Sequence, residues 1–195
     1  MKDRRELVSE WPEIAFQYYV LARAARHCDY WYPAASCAHF AVELMLKFLL
    51  VLEKPWPPVP PWPGRARPLT PAEVPHTHDL MELWSRFDAA WPGNHLAAHT
   101  NFVKELNRWD VGMRYAELFA SGPTVFCRTI EDAEVVRAAN PSGNQDVLVL
   151  DMERLDAFSH ALLDFAGISR TLRGSKFMVK DCREFYEAAN QHAIR

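Results

Sequence analysis

The stretch Tyr32 to Leu50, YPAASCAHFAVELMLKFLL, has helical spacing but only a thin polar stripe. Ala38, Ala41, Val42, Met45, Leu46 and Leu49 make one apolar face, and Cys37, Phe40, Leu44, Phe48 and Val51 make another. Ser36, His39, Glu43 and Lys47 fill the gap between them. Glu43 precedes Lys47 by four positions, the order that favours an ion pair along a helix. A helix apolar on two faces needs partners on both. The expected partners are the chain's own helices on one side and a second subunit on the other.

Helical patterns lie on both sides of it. Upstream, WPEIAFQYYVLARAARHC places Ile14, Tyr18, Leu21, Ala25 and Cys28 on one stripe, with Pro12 expected to mark the first turn. Downstream, EKPWPPVPPWPGRARPLTPAEVP is too rich in proline for helix interior or central strand. It is expected to be an extended covering loop, with Trp56 and Trp62 as anchors. THDLMELWSRFDAAW predicts a short third helix with Thr77 as its N-cap and Asp79 in its first turn. A fourth helix follows over NHLAAHTNFVKELNRWDVGMRYAEL, buried through Phe102, Val103, Leu106 and Met113 and stopped by Ser121 to Pro123. TVFCR and VLVL suggest short strands around the helical EDAEVVRAA and the turn NPSGN. DMERLDAFSHALLDFAG predicts a fifth helix with Leu155, Phe158, Leu162 and Phe165 inside and Gly167 as its C-cap. The tail from Ser169 is basic and then helical from about Asp181.

The fold class expected is all-α, an up-down bundle of four to five helices spanning 1–169. It carries a proline-rich insertion at 54–76, a small irregular or β insertion at 121–149, and a C-terminal extension at 170–195. The 195 residues suit one domain with insertions. A net charge of -3 argues against a globally basic nucleic-acid binder, although it permits a local basic patch. The four cysteines, Cys28, Cys37, Cys127 and Cys182, show no CxxC spacing, and the first ten residues, MKDRRELVSE, are charged and polar. Free thiols in a reducing cytoplasm are therefore expected. No uninterrupted apolar run approaches the roughly 18 residues of a membrane span, so no membrane association is expected.

Four segments in this order resemble the HEPN family, named for nucleotide binding in higher eukaryotes and prokaryotes. They are the Ala- and Tyr-rich first helix, the Tyr32–Leu50 helix with Ala41, Glu43 and Lys47, the THDL start at Thr77 to Leu80, and LNRWDVGMRYAEL. In the last, Ala116 stands where the family's Arg-Tyr-Pro-Glu motif has proline. The resemblance implies a helical bundle that dimerises. One branch of the family comprises metal-independent ribonucleases of toxin and defence systems. The other binds nucleotides or partner proteins, often beside a small nucleotidyltransferase.

The ribonuclease branch carries an Arg followed, after four to six residues, by a His. An imidazole can serve as base near neutrality and a guanidinium can stabilise a phosphorane. Arg114 matches the Arg by position, but Phe119, Ala120 and Ser121 follow where a His belongs. Arg154 and His160 have the spacing elsewhere, yet six positions along one helix turn the side chains about 120° apart. The reading is therefore a non-catalytic binding protein. It would hold a nucleotide, RNA or a partner such as a nucleotidyltransferase or antitoxin, using His39, Glu43, Lys47, Arg114 and Tyr115. A metal-independent ribonuclease using Arg154 and His160 is the alternative, and an interaction module docking through the proline-rich loop is a third reading. Arg170, Arg173, Lys176 and Lys180 are candidate RNA contacts. His95 and His99 have helical metal-ligand spacing but lack a third ligand of telling spacing, so neither metal nor cofactor is expected.

Overall fold

A computed structural model describes residues 4–52, 70, 73–114, 124–143 and 145–166; side chains are described at 10–52, 70, 73–109, 124–143 and 145–166. Among these residues the order is α1 (Arg4–His27), α2 (Trp31–Val51), α3 (Leu80–Ala90), a 3-10 segment η1 (His95–His99), α4 (Thr100–Arg114), β1 (Thr124–Cys127), α5 (Ile130–Ala139), β2 (Asp146–Val149) and α6 (Met152–Ala166). The protein is a helical bundle with a small strand insertion.

The α2 helix is the axis. It packs against α1, α3, α4 and α6. All six residues of its first apolar face are buried. Its second face is half covered: Cys37, Leu44 and Phe48 are partly buried against the core, while Phe40 is 36% exposed. Much of the covering expected from a second subunit is thus supplied within the chain. By length and composition α2 is also long and apolar enough to cross a membrane, a property hidden from a search for uninterrupted runs by the polar residues among the apolar ones. Yet 61% of its most apolar window is buried inside the protein.

Helix α1 differs from the expected pattern in two respects. It begins at Arg4, so Pro12 lies inside it and does not mark the start. A proline there leaves one carbonyl without its amide donor, which interrupts the ladder at one rung while the bonds on both sides persist. Its buried stripe is Ala15, Tyr19 and Ala22, one position on from the expected Ile14, Tyr18 and Leu21; Leu21 is 51% exposed. The period is right and the phase is wrong. Alanines let α1 approach the alanine-rich start of α2, where Ala34, Ala35, Ala38 and Ala41 are all buried, so small residues take the contact and larger ones flank it. The α1–α2 turn passes through Asp29 at φ 58°, where its carboxylate accepts from Arg26 Nη1 at 2.8 Å. Aspartate tolerates this left-handed backbone better than most side chains do.

Helix α3 starts at Leu80, and its N-cap is Asp79, not Thr77. The Asp79 carboxylate accepts from the amides of Met81 and Glu82, while Thr77 Oγ1 accepts from the Asp79 amide one turn earlier. The carboxylate wins because it carries charge at the positive end of the helix. Phe102, Val103 and Leu106 are buried in α4 as expected, joined by Trp109; the side chain of Met113 lies outside the described residues. In α6, Leu155, Phe158, Leu162 and Phe165 are all buried.

Strands β1 and β2 pair in parallel, Thr124 opposite Asp146 through Cys127 opposite Val149. Parallel strands need a crossover, and α5 supplies it. The turn before β2 includes Gly143 at φ 67°, a backbone conformation that glycine adopts without steric cost. This unit is fastened to the bundle at several points. Trp109 Nε1 donates to Val149 O at 2.6 Å, and Arg137 forms a two-pronged pair with Glu105 at 3.0 and 2.7 Å. Trp31, Phe126 and Trp109 stack in sequence at 5.5 and 5.8 Å.

Candidate functional site

The polar stripe of α2 is not a solvated strip. His39 and Glu43 are 2% and 4% exposed, on a helix whose other buried residues are apolar. Glu43 Oε1 accepts from Lys47 Nζ at 2.6 Å, the expected pair one turn on. Glu43 Oε2 faces His78 Nδ1 at 3.0 Å, and His39 Nδ1 lies 3.8 Å from the same oxygen. A carboxylate only accepts, so the His78 Nδ1 carries the proton in this contact. His78 sits just before α3, 35 residues from Glu43. It binds across to α2 and not within the start of its own helix. The chain-order pattern holds no trace of that partnership.

The cluster opens at one end. His78 is half exposed and lies 6.5 Å from the ring of Phe40, which in turn lies 5.5 Å from Tyr18. Nitrogen donors around a fixed carboxylate thus adjoin two aromatic faces on α1 and α2. The backbone of Arg114 ends α4, but the side chain of Arg114 and all of Tyr115 lie outside the described residues, as do Arg170, Arg173, Lys176 and Lys180.

Nothing in their contacts joins Arg154 to His160. Arg154 Nη2 is 2.5 Å from Glu131 Oε1, and its Nε is 3.4 Å from Asp151 Oδ2. His160 Nδ1 donates to the carbonyl of Asp156 in its own helix at 2.8 Å. Asp156 is itself the hub tying α6 to α1: it accepts from Tyr19 Oη at 2.7 Å and pairs with Arg23. Burial, followed by the Asp156 hydrogen bond, pushes the Tyr19 phenol far above its ordinary range, which marks it as a structural donor.

His95 and His99 lie in η1, not in an α-helix. With about three residues per 3-10 turn, four positions separate the two side chains by about 120°, so they do not share the face a metal needs. Among the described residues no group of three His, Cys, Asp or Glu could hold a metal ion. The Cys37 and Cys127 thiols are pushed up by burial, the opposite of an activated nucleophile.

A cavity between α1, α2 and α6, lined by residues including Phe16, Tyr19, Met45 and Leu162, measures about 20 Å³. That is room for about one water, between mostly apolar walls, and not for a nucleotide. Comparison with protein-family models, with characterised proteins and with solved structures yields no match.

Proposed function

We propose that the chain is a HEPN-like, non-catalytic binding module that receives the phosphate of a nucleotide or RNA at the open end of the Glu43 cluster. The observation that carries this reading is a nearly inaccessible carboxylate, held by Lys47 and His78, on the most apolar helix of the bundle. Burying such a group costs several kcal/mol by typical figures, and an apolar residue would pack at least as well. Glu43 uses one of the three N–H groups of Lys47 and one ring nitrogen of His78, which aligns both and leaves the remaining donors for a ligand. Phe40 and Tyr18 offer ring faces on which a base can stack.

In this reading the protein acts in the cytoplasm as a homodimer. The second copy would cover the open strip formed by Leu21, Phe40 and their part-buried neighbours Tyr18, Leu44 and Phe48. The ligand then lies at the edge of the cleft between the two copies, where Phe40 and Tyr18 face its base, since the small apolar cavity excludes it.

Calorimetric titration of the purified protein with a nucleotide panel and a short single-stranded RNA tests the reading. Saturable binding that Lys47→Ala and Phe40→Ala both weaken supports it. Absence of any saturable titrant, or binding indifferent to both variants, sinks it. Incubating a mixed RNA pool in EDTA, beside a His160→Ala variant, tests the ribonuclease alternative. Cleavage by the parent alone would replace this proposal with an enzyme.

A further inference from the structure

One carboxylate brings two nitrogen donors side by side. Glu43 Oε1 accepts from Lys47 Nζ at 2.6 Å and Oε2 accepts from His78 Nδ1 at 3.0 Å, while His39 Nδ1 stands off at 3.8 Å. The Lys47 side chain is 13% exposed and that of His78 46%, so an incoming ligand meets the imidazole first. Because Nδ1 carries the proton toward Glu43, a neutral His78 offers only a lone pair at Nε2, which has no partner among the described residues. A phosphate oxygen is also an acceptor and cannot bond to it. The charges of Glu43 and Lys47 cancel, so with neutral histidines the cluster does not attract an anion. A proton on His78 changes both properties together. Nε2 becomes a donor, the cluster gains a net positive charge, and the Nδ1 bond to Glu43 is strengthened.

Building on the binding reading above, we propose that the Glu43 cluster takes a terminal phosphate, the dianion of a phosphomonoester, together with a proton that settles on His78 Nε2. A terminal phosphate carries about 1.5 to 2 negative charges near pH 7 and three free oxygens. It draws the proton from solvent onto the imidazole, and separate oxygens accept from His78 and Lys47. An interior phosphodiester has a single charge and two free oxygens, and it faces the same repulsion from Glu43. The ligand class is therefore a nucleoside monophosphate or the phosphorylated end of an RNA, with its base against Phe40, whose ring lies 6.5 Å from that of His78. The ionisable groups facing His78 come from α2: Glu43, with Lys47 and His39 behind it. Asp79, next in the chain, is engaged by the amides of Met81 and Glu82 and by the Asn107 side chain of α4, which carries no charge.

The test is calorimetry of the full-length protein with adenosine 5′-monophosphate at pH 7.5, run in two buffers of different ionisation enthalpy to count protons. Histidines are ordinarily mostly neutral at that pH, and the titrant is mostly dianionic. Uptake approaching about one proton per nucleotide is expected. A dinucleoside monophosphate of adenosine, with the same bases and only a diester, should bind about tenfold more weakly, as expected for one charge-assisted contact. His78→Gln should weaken the monophosphate about tenfold and take up no proton. His78→Lys supplies a permanent charge and should hold the monophosphate with no uptake, a result that a misfolded variant cannot produce.

Binding of the monophosphate without proton uptake, uptake that survives His78→Gln, or a diester as tight as the monoester would each overturn this inference. All three leave the binding module standing. Saturable binding of a short RNA that lacks terminal phosphates, with the monophosphate silent, has the same meaning. Silence from all the titrants removes both readings together.

Discussion

Glu43 shows how one buried side chain organises others. Its two oxygens serve different elements, one holding Lys47 on α2 and the other His78 before α3. Glu43→Ala should strip both of their partner and destabilise the fold by about 2 kcal/mol, as expected when a buried acceptor of charged donors is deleted. Glu43→Gln keeps the shape and should cost less; urea denaturation of both variants measures the difference. His99 makes a second prediction at this scale. Its folded-state pKa lies below the ordinary value of 6.5, so the folded protein resists protonation at a site where the unfolded chain accepts it. The unfolded state then binds more protons, and stability falls as pH drops below about 6.5 and through the lower folded value. In His99→Gln that part of the slope should vanish, which denaturation at pH 7.5 and pH 5.0 would reveal.

At the scale of elements, end chemistry decides where helices begin. Asp79→Ala should cost about 1 kcal/mol, the usual worth of an N-cap, and Thr77→Ala distinctly less, because Thr77 receives only the single amide before the helix. Thermal denaturation of the two variants ranks them. The same comparison explains why the start of α3 is ambiguous in the sequence: Thr77 and Asp79 are both good caps, and only the direction of the chain chooses between them. The phase of α1 has a similar origin. Hydropathy favours the stripe through Tyr18 and Leu21, but close approach to α2 favours the stripe through Ala15 and Ala22. The strands were legible as strands from TVFCR and VLVL, whereas their parallel pairing was not, since it depends on where α5 lays the chain. Trp109 then anchors β2 to α4, and Trp109→Phe should cost about 1–3 kcal/mol by leaving the Val149 carbonyl unsatisfied.

For the whole molecule, the βαβ unit is part of the bundle and not an appendage. Arg137 joins it to α4, Arg154 on α6 reaches Glu131 on α5, and the Trp31–Phe126–Trp109 stack runs from α2 through β1 to α4. Unfolding followed by tryptophan fluorescence and by far-ultraviolet circular dichroism should therefore give coincident transitions; a separate early transition in one signal would show that the unit folds alone. The open strip on α1 and α2 sets the last prediction. If a second copy covers it, Phe40→Glu combined with Leu21→Glu should yield a monomer in sedimentation equilibrium while the helix content is retained. A parent protein already monomeric at micromolar concentration would remove the dimer from the proposed function.

The sequence by itself determined the helical class, the central position of α2 and the buried stripe of α6, because burial imposes a 3.6-residue period that survives in the order of apolar residues. It also exposed the Glu43–Lys47 pair, since that contact is local to one helix. Only the tertiary structure decided that His78 completes the Glu43 cluster, that Arg154 pairs with Glu131 and not with His160, and that the two strands run parallel. Each of those relations joins residues far apart in the chain, and their meeting is set by how the helices pack, which no local period encodes.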